Sequence, residues 1–303
     1  MALRRNILLF HQGALGDFIV TWPLALAMGR AFAQGRVFYV TAGQKGALAE
    51  KALRVESVDV EGGWHQLFSE SPQLPEPAGR LLAGAPWVIS FVSDGNDRWA
   101  RNVRTIAPAA VLVPLSTTPE LEFSGPITEY LLRQLKPWPV IEAAFGQMLK
   151  SVANRGISSS WRADGPVVLH PGAGSGKKCW PAERFLELAA QLSALGQRVQ
   201  FILGEVELER WPRQEVDRFA SAAELHTPTT LVELMDRIAR ASAFVGNDSG
   251  PGHLAAMLGL ATVSIFGPAD PSRWRPLGPR VEIVRGEWDE ISPPRVLDAL
   301  RRI

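Results

Sequence analysis

The sequence predicts an α/β protein of two Rossmann-like halves, each a parallel sheet flanked by helices, and three observations carry that prediction. The 303-residue length exceeds the ~100–200 residues of an ordinary single domain. Short apolar runs that read as strands alternate with helix-length segments along most of the chain, the order that βαβ units require. Two of these strands, one at the start of each half, end in glycine-containing turns that lead into a helix. Such turns sit at the carboxyl ends of strands, where open α/β sheets bind ligands.

The first strand is Asn6–Phe10, short and continuously apolar, followed by the turn His11-Gln-Gly-Ala-Leu-Gly-Asp17. The next helix has an apolar face of Ile19, Pro23, Leu24, Leu26 and Met28. Pro23 lacks an N–H, so it requires a kink there or a second helix start. The strand Arg36–Thr41, the helix Gly43–Leu53 and the strand Ser57–Val60 follow. After them come the strand Trp87–Val92, a helix from about Asp97 to Ile106, and the strand Ala110–Leu115.

Between about Pro137 and Asp164 the prolines 137 and 139 and the polar run Arg155-Gly-Ile-Ser-Ser-Ser160 predict a linker. This gives a first domain over 1–155 and a second over 156–290. The second series runs through strands Pro166–His170, Arg198–Leu203, Glu224–His226, Ala243–Gly246, Ala261–Phe266 and Val281–Val284. Its helices are Pro181–Leu195, about Val206–Ala220, Thr230–Ala241 and Ser249–Leu258. A final helix lies within 291–303, where Val296, Leu297, Leu300 and Ile303 share one face.

Composition excludes several classes. Hydrophobic residues at 46% and charged residues at 21% describe a globular chain, not a disordered or fibrous one. A net charge of +1 excludes a dedicated nucleic-acid binder, which needs a positive excess to meet the phosphate field. A lone cysteine, Cys179, has no internal disulfide partner and points to a reducing compartment. Arg4-Arg5 precede an apolar stretch that His11-Gln12 interrupts, shorter than the ~7–15 residues of a signal-peptide core. No run approaches the ~18 apolar residues of a membrane span. A cytoplasmic location follows, and scattered arginines on a slightly basic chain are compatible with peripheral contact with the cytoplasmic face of the inner membrane.

Three constellations carry chemistry. In Gly13-Ala-Leu-Gly16-Asp17, the glycines permit close backbone approach. Asp17 is either an N-cap or a carboxylate suited to take a proton from an attacking hydroxyl. In His170-Pro-Gly-Ala-Gly-Ser175-Gly-Lys-Lys178-Cys-Trp-Pro181, glycine amides, a hydroxyl and lysines form a cradle for phosphates or else a flexible connection. It is not a Walker A loop, because Pro171 stands six residues before Lys177 and Lys178 replaces the magnesium-binding hydroxyl. In Val245-Gly-Asn-Asp248-Ser249-Gly250-Pro-Gly-His253, a strand ends and a helix begins with its amides aimed at an anion. Asp248 would cap that helix or bind a sugar hydroxyl, and His253 lies about one turn in. Arg98, Arg101 and Arg104 share a helical face, readable as an acceptor surface or as a solvated face beside Asp94 and Asp97. Trp87 and Trp99 are expected in the core.

Taken in order, Gly-Ala-Leu-Gly-Asp, His-Pro-Gly-Ala with Lys-x-Trp-Pro, and Gly-Asn-Asp-Ser-Gly-Pro-x-His-Leu-Ala-Ala followed by Phe266-Gly-Pro-Ala-Asp-Pro271 resemble glycosyltransferase family 9, the ADP-heptose:lipopolysaccharide heptosyltransferases. The resemblance runs from the first strand to about Gly278. It implies a GT-B architecture, with two Rossmann-like domains facing an interdomain cleft and the final helix packing back on the N-terminal domain. It also implies an inverting transferase of lipopolysaccharide biosynthesis, with no metal and no cofactor beyond its ADP-sugar donor. Asp17 falls on the family's general base. Ser175, Lys178, Ser249, Gly250 and His253 fall on its donor-phosphate contacts, and Asp248 on its contact to the transferred sugar. The acidic ribose contact falls on Glu205 or Glu207, within Leu203-Gly-Glu-Val-Glu207. Gly13, Arg98 and Arg101 lie on the acceptor side, for a glycan or glycolipid. Cys179 departs from the polar or basic residue usual at its place. The rival readings are a GT-B transferase for another nucleotide sugar and a non-catalytic nucleotide-sugar-binding scaffold. A dinucleotide oxidoreductase lacks its glycine fingerprint.

Overall fold

The computed structural model describes residues 6–33, 35–158 and 162–303; Arg4-Arg5 and the serines 159 and 160 of the expected linker lie outside the described residues. The chain forms two compact units, Met1–Lys150 and Ser151–Ile303. Among the described residues no helix is long and apolar enough to cross a membrane.

The first unit holds strands β1 (Asn6–Phe10), β2 (Arg36–Thr41), β3 (Glu56–Asp59), β4 (Trp87–Ser90) and β5 (Val111–Pro114). They form one parallel sheet of order β3-β2-β1-β4-β5. Its helices are α1 (Leu15–Val20), α2 (Trp22–Ala31), α3 (Gly43–Leu53), α4 (Glu76–Ala83), α5 (Arg98–Ile106), α6 (Ile127–Gln134) and α7 (Pro139–Arg155). The expected single helix after β1 is two, because Pro23 takes the second position of a new one, where its missing N–H costs nothing. Thr21 closes the joint: its hydroxyl donates to the Phe18 carbonyl at 2.7 Å. Central strand β1 is buried on both faces, and Phe10 packs edge-on against Trp64 and Trp99, with ring centroids 5.1 and 4.9 Å apart. Trp99 is therefore a core residue, and Trp87 sits half-buried against Phe32.

The second unit holds β6 (Val167–His170), β7 (Val199–Ile202), β8 (Glu224–His226), β9 (Ala243–Asn247), β10 (Ala261–Gly267) and β11 (Val281–Arg285). They are parallel, in the order β11-β10-β9-β6-β7-β8. The helices are α8 (Ala182–Ala194), α9 (Glu205–Arg210), α10 (Arg213–Ala222), α11 (Leu231–Ala239), α12 (Gly250–Leu258) and α13 (Pro293–Arg301). In both units the chain winds outward one way from the first strand and then returns to its other side. The strand order reverses between β1 and β4 in one unit and between β6 and β9 in the other. At such switch points the loops on either side diverge and leave room for a ligand.

Two expectations are corrected. The stretch expected as a linker contains α7, whose buried Ile141, Phe145, Met148 and Val152 keep a helical spacing. Pro139 opens that helix, and the division between the units falls inside it. The single helix expected over about Val206–Ala220 is broken at Pro212, which holds Trp211 in an extended conformation and starts α10. The final helix packs on α8, β10 and β11 of its own unit, where Val296, Leu297 and Ala299 join the core.

Candidate functional site

In the first unit the switch-point loop follows β1. Asp17 occupies the third position of α1, whose N-cap is Ala14 with no side-chain bond, so the N-cap reading of Asp17 does not hold. A carboxylate in that first turn is favoured by the helix dipole. Beside it lies Lys45 of α3, which the sequence reading did not single out. Its ammonium donates to the Gly13 carbonyl at 2.7 Å and approaches that of Gln12 at 3.5 Å. Burial lowers the pKa of Lys45 and the charge of Asp17 opposes the shift. His11, at the end of β1, is buried between Phe18 and Phe91. Burial, and secondarily Lys45, push its pKa down to about 3, so it is a neutral packing residue at any working pH. Gly13, Asp17 and Lys45 thus meet at the loop after β1. Arg98 reaches Glu70 at 3.4 Å and Arg101 donates to the Asn96 carbonyl at 2.9 Å.

In the second unit the two switch-point loops are joined by Asn247, fully buried at the end of β9. Its side-chain oxygen accepts from the Trp180 amide at 2.9 Å, and its nitrogen donates to the carbonyls of Pro171 and Gly172 at 2.8 and 3.4 Å. That amide therefore anchors both ends of the glycine loop. At the loop's exposed end, Lys178 pairs with Asp248 at 2.6 Å; the lysine side chain is 48% exposed and the aspartate's 9%. Such an asymmetry leaves the ammonium able to change partners, while the carboxylate is held.

Ser249 is the N-cap of α12, yet among the described residues its buried hydroxyl has no hydrogen-bond partner. An unmet polar atom at a helix amino terminus is a vacancy of the kind anions fill. Gly250 opens the helix. His253 is buried against Trp274, and burial pulls its pKa down to about 4 against the charge of Asp248, with Lys178 adding to the fall. It stands as a neutral donor or acceptor, not a cation. Ser175 is exposed in the loop, and Arg210 of α9, another residue sequence reasoning missed, donates to the Gly174 carbonyl at 3.3 Å. Cys179 is half-buried and its thiol raised by burial and by Glu207.

The two glutamates separate cleanly. Glu207 is buried, accepts from the Gly204 amide at 2.8 Å, and lies so close under Gly172 that any Cβ there would collide with its carboxylate. It supports the loop from below and begins α9. Glu205 is exposed at the amino end of that helix. Among the described residues no group of three or more His, Cys, Asp or Glu side chains is placed to hold a metal ion.

Two Rossmann-ordered units, with a carboxylate at one switch point and a glycine loop, a cation and a helix amino terminus at the other, have the build of GT-B glycosyltransferases. The chain belongs to glycosyltransferase family 9, the heptosyltransferases: the family's model matches residues 128–296. It is 29% identical over 160 residues to lipooligosaccharide heptosyltransferase 2 of Haemophilus influenzae, covering 50% of this chain and 45% of that one. It is 32% identical over 120 residues to lipopolysaccharide heptosyltransferase 3 of Escherichia coli, covering 36% and 33%. The matched stretches thus span less than half the length of these curated relatives. Over the whole chain the fold is that of Escherichia coli ADP-heptose lipopolysaccharide heptosyltransferase II, with a TM-score of 0.70, 19% identity and 98% of each chain covered. An Escherichia coli heptosyltransferase solved with ADP gives a TM-score of 0.68 at 19% identity, covering 98% of this chain and 99% of that one.

Proposed function

We propose that the protein transfers a sugar, heptose, from an ADP-sugar to a hydroxyl of a lipopolysaccharide-core or related glycan acceptor, with inversion at the anomeric carbon and without a metal ion. The observation that carries this is the Lys178–Asp248 pair at the amino end of α12, in the part of the chain that matches the family. A diphosphate entering the loop draws the exposed ammonium of Lys178 from Asp248 and takes the unmet hydroxyl of Ser249 and the amides opening α12. Asp248, relieved of its partner, is then available to the hydroxyls of the transferred sugar. Glu205, the exposed glutamate at the start of α9, is the candidate for the ribose.

Asp17 takes the proton of the acceptor hydroxyl as its oxygen bonds to the anomeric carbon. The bond from that carbon to the diphosphate breaks on the opposite face, and the electron pair leaves on the diphosphate. Charge developing on this leaving group is met by Lys178 and the helix-terminal dipole, a service that a divalent ion performs in other transferases. The curated relatives' names support heptose as the sugar, and the ADP-heptose named for one structure of this fold and the ADP held by another support ADP as the nucleotide.

Calorimetry of ADP, UDP and GDP with chelator present tests the reading. Wild type is expected to prefer ADP, and Lys178→Ala to weaken it about 10–100-fold, the worth of one charge-assisted contact. A preference for UDP or GDP would move the donor to another nucleotide sugar. Absence of any nucleotide binding would leave a fold without a transferase.

A further inference from the structure

Several arginines of this nearly neutral chain are neutralised locally. Arg36 pairs with Glu56, Arg133 with Glu129, Arg213 with Asp217, Arg218 with Glu183 and Glu215, and Arg302 with Glu282. One pocket instead gathers four arginines. At the amino ends of β6 and β7 and the carboxyl end of α11, a polar pocket of about 290 Å³ is lined by Arg162, Arg198, Arg237 and Arg240, with Asp164 the one carboxylate among them. Four guanidinium groups against one carboxylate leave a local charge of +3 in a chain whose total is +1.

The pairing inside the pocket does not absorb that charge. Asp164 is met by Arg162 at 3.4 Å, and Arg198 turns to the Asp164 backbone carbonyl at 2.6 Å. Among the described residues, Arg237 and Arg240 make no side-chain hydrogen bond or ion pair. Their place in and just after the last turn of α11 suits the helix dipole, but a dipole accounts for neither Arg162 nor Arg198, which reach the same space from other segments.

We propose that this pocket is a binding site for a phosphate-bearing ligand, separate from the donor site. Guanidinium forks match phosphate oxygens two at a time, and a surplus of three positive charges suits a multiply charged phosphate better than a single carboxylate. The volume lies at the lower end of small-ligand sites, ~300 Å³ and upward. It is room for a phosphate with a small substituent, not only for the bare ion. The donor loop leaves β6 at its carboxyl end and this pocket lies at its amino end. The four residues of that strand, at ~3.3 Å each, separate the two by about 13 Å. Two sources share this chemistry, a soluble phosphate ester and the headgroup of an anionic phospholipid.

The test is calorimetric titration of pyrophosphate into the full-length protein with the donor site saturated by ADP, on wild type and on Arg237→Gln/Arg240→Gln. Wild type is expected to bind one pyrophosphate despite ADP, with affinity falling at least tenfold in the double variant while its melting temperature and its ADP affinity stay unchanged. If ADP does not bind, the proposed transferase function fails, and the titration is run on the Lys178→Ala protein, where the arginine-dependent difference still decides. Co-sedimentation with phosphatidylglycerol vesicles, against phosphatidylcholine ones, separates the sources. Arginine-dependent capture by the anionic vesicles that pyrophosphate competes away assigns the headgroup, and pyrophosphate binding without capture assigns a soluble ligand. Pyrophosphate binding that ADP abolishes, or that is equal in wild type and the double variant, together with arginine-independent capture or none, overturns the proposal.

Discussion

The two switch-point loops follow equivalent strands in equivalent sheets, yet they are held and charged in opposite ways. The loop after β1 is short, leads straight into α1, and is clamped from outside by Lys45 on its carbonyls, so that it presents a carboxylate in a helix's first turn. The loop after β6 is anchored at its ends by Asn247, and its middle, residues 174–178, stands exposed, with Arg210 on the Gly174 carbonyl and its lysine on a neighbouring aspartate. One loop fixes an anion, and the other offers a movable cation. In the proposed displacement the anion takes the nucleophile's proton and the cation meets the charge that builds on the leaving group.

The sharpest way to break this contrast is at its anion. Asp17→Asn keeps the shape and removes the base, and turnover is expected to fall about a thousandfold, within the range general-base removal gives, with ADP affinity unchanged. A variant that retains turnover would remove Asp17 from the chemistry.

The next effect is common to both units, since each buries beside its loop a histidine whose pKa burial lowers, His11 in one and His253 in the other. The pKa values of His11 and His253 lie at about 3 and about 4 in the folded chain against 6.5 unfolded. Below pH 6.5 the unfolded chain therefore binds protons that the folded one refuses. Stability is expected to be level above that pH and to decline as pH falls toward 4, with His253 alone contributing about 3 kcal/mol to the loss. Urea titrations between pH 7.5 and 4.5 would register this, and His253→Gln should flatten the second unit's share.

Asn247→Ala is expected to cost about 2–3 kcal/mol, because it strands a buried amide and two carbonyls, and to weaken ADP while leaving the Asp17 loop intact. Urea denaturation and calorimetry on the same sample would read both. The smallest effect is reserved for the clamp. Lys45→Met is expected to lower kcat about tenfold, about 1.4 kcal/mol, without changing ADP affinity, and Lys45→Arg to recover most of it. Loss of nucleotide affinity instead would place Lys45 in the fold at large.

Much of this was legible in the chain. Continuously apolar runs such as Asn6–Phe10 can only be buried strands, and glycine turns after two of them mark where ligands go. Lys45, Asn247 and Arg210 were less visible, because each acts on a loop that lies about 30 to 75 residues away and carries no local signature. Prolines misled in two directions. Pro139 was read as a breaker where it opens a helix, and Pro212 was overlooked where it ends one. The acidic pair around residue 206 could be resolved only by burial, which spacing does not report.

Helix α7 carries a practical consequence for anyone recombining members of this family. A chimera that exchanges the nucleotide-handling half cannot be spliced at the division between Lys150 and Ser151, because that cut severs a continuous helix whose Val152 is buried. The workable seam is the turn after it. There Gly156 takes a positive φ of 68° and packs its bare α-carbon face on the backbone of Gly259, so a transplanted module has to bring both glycines with it.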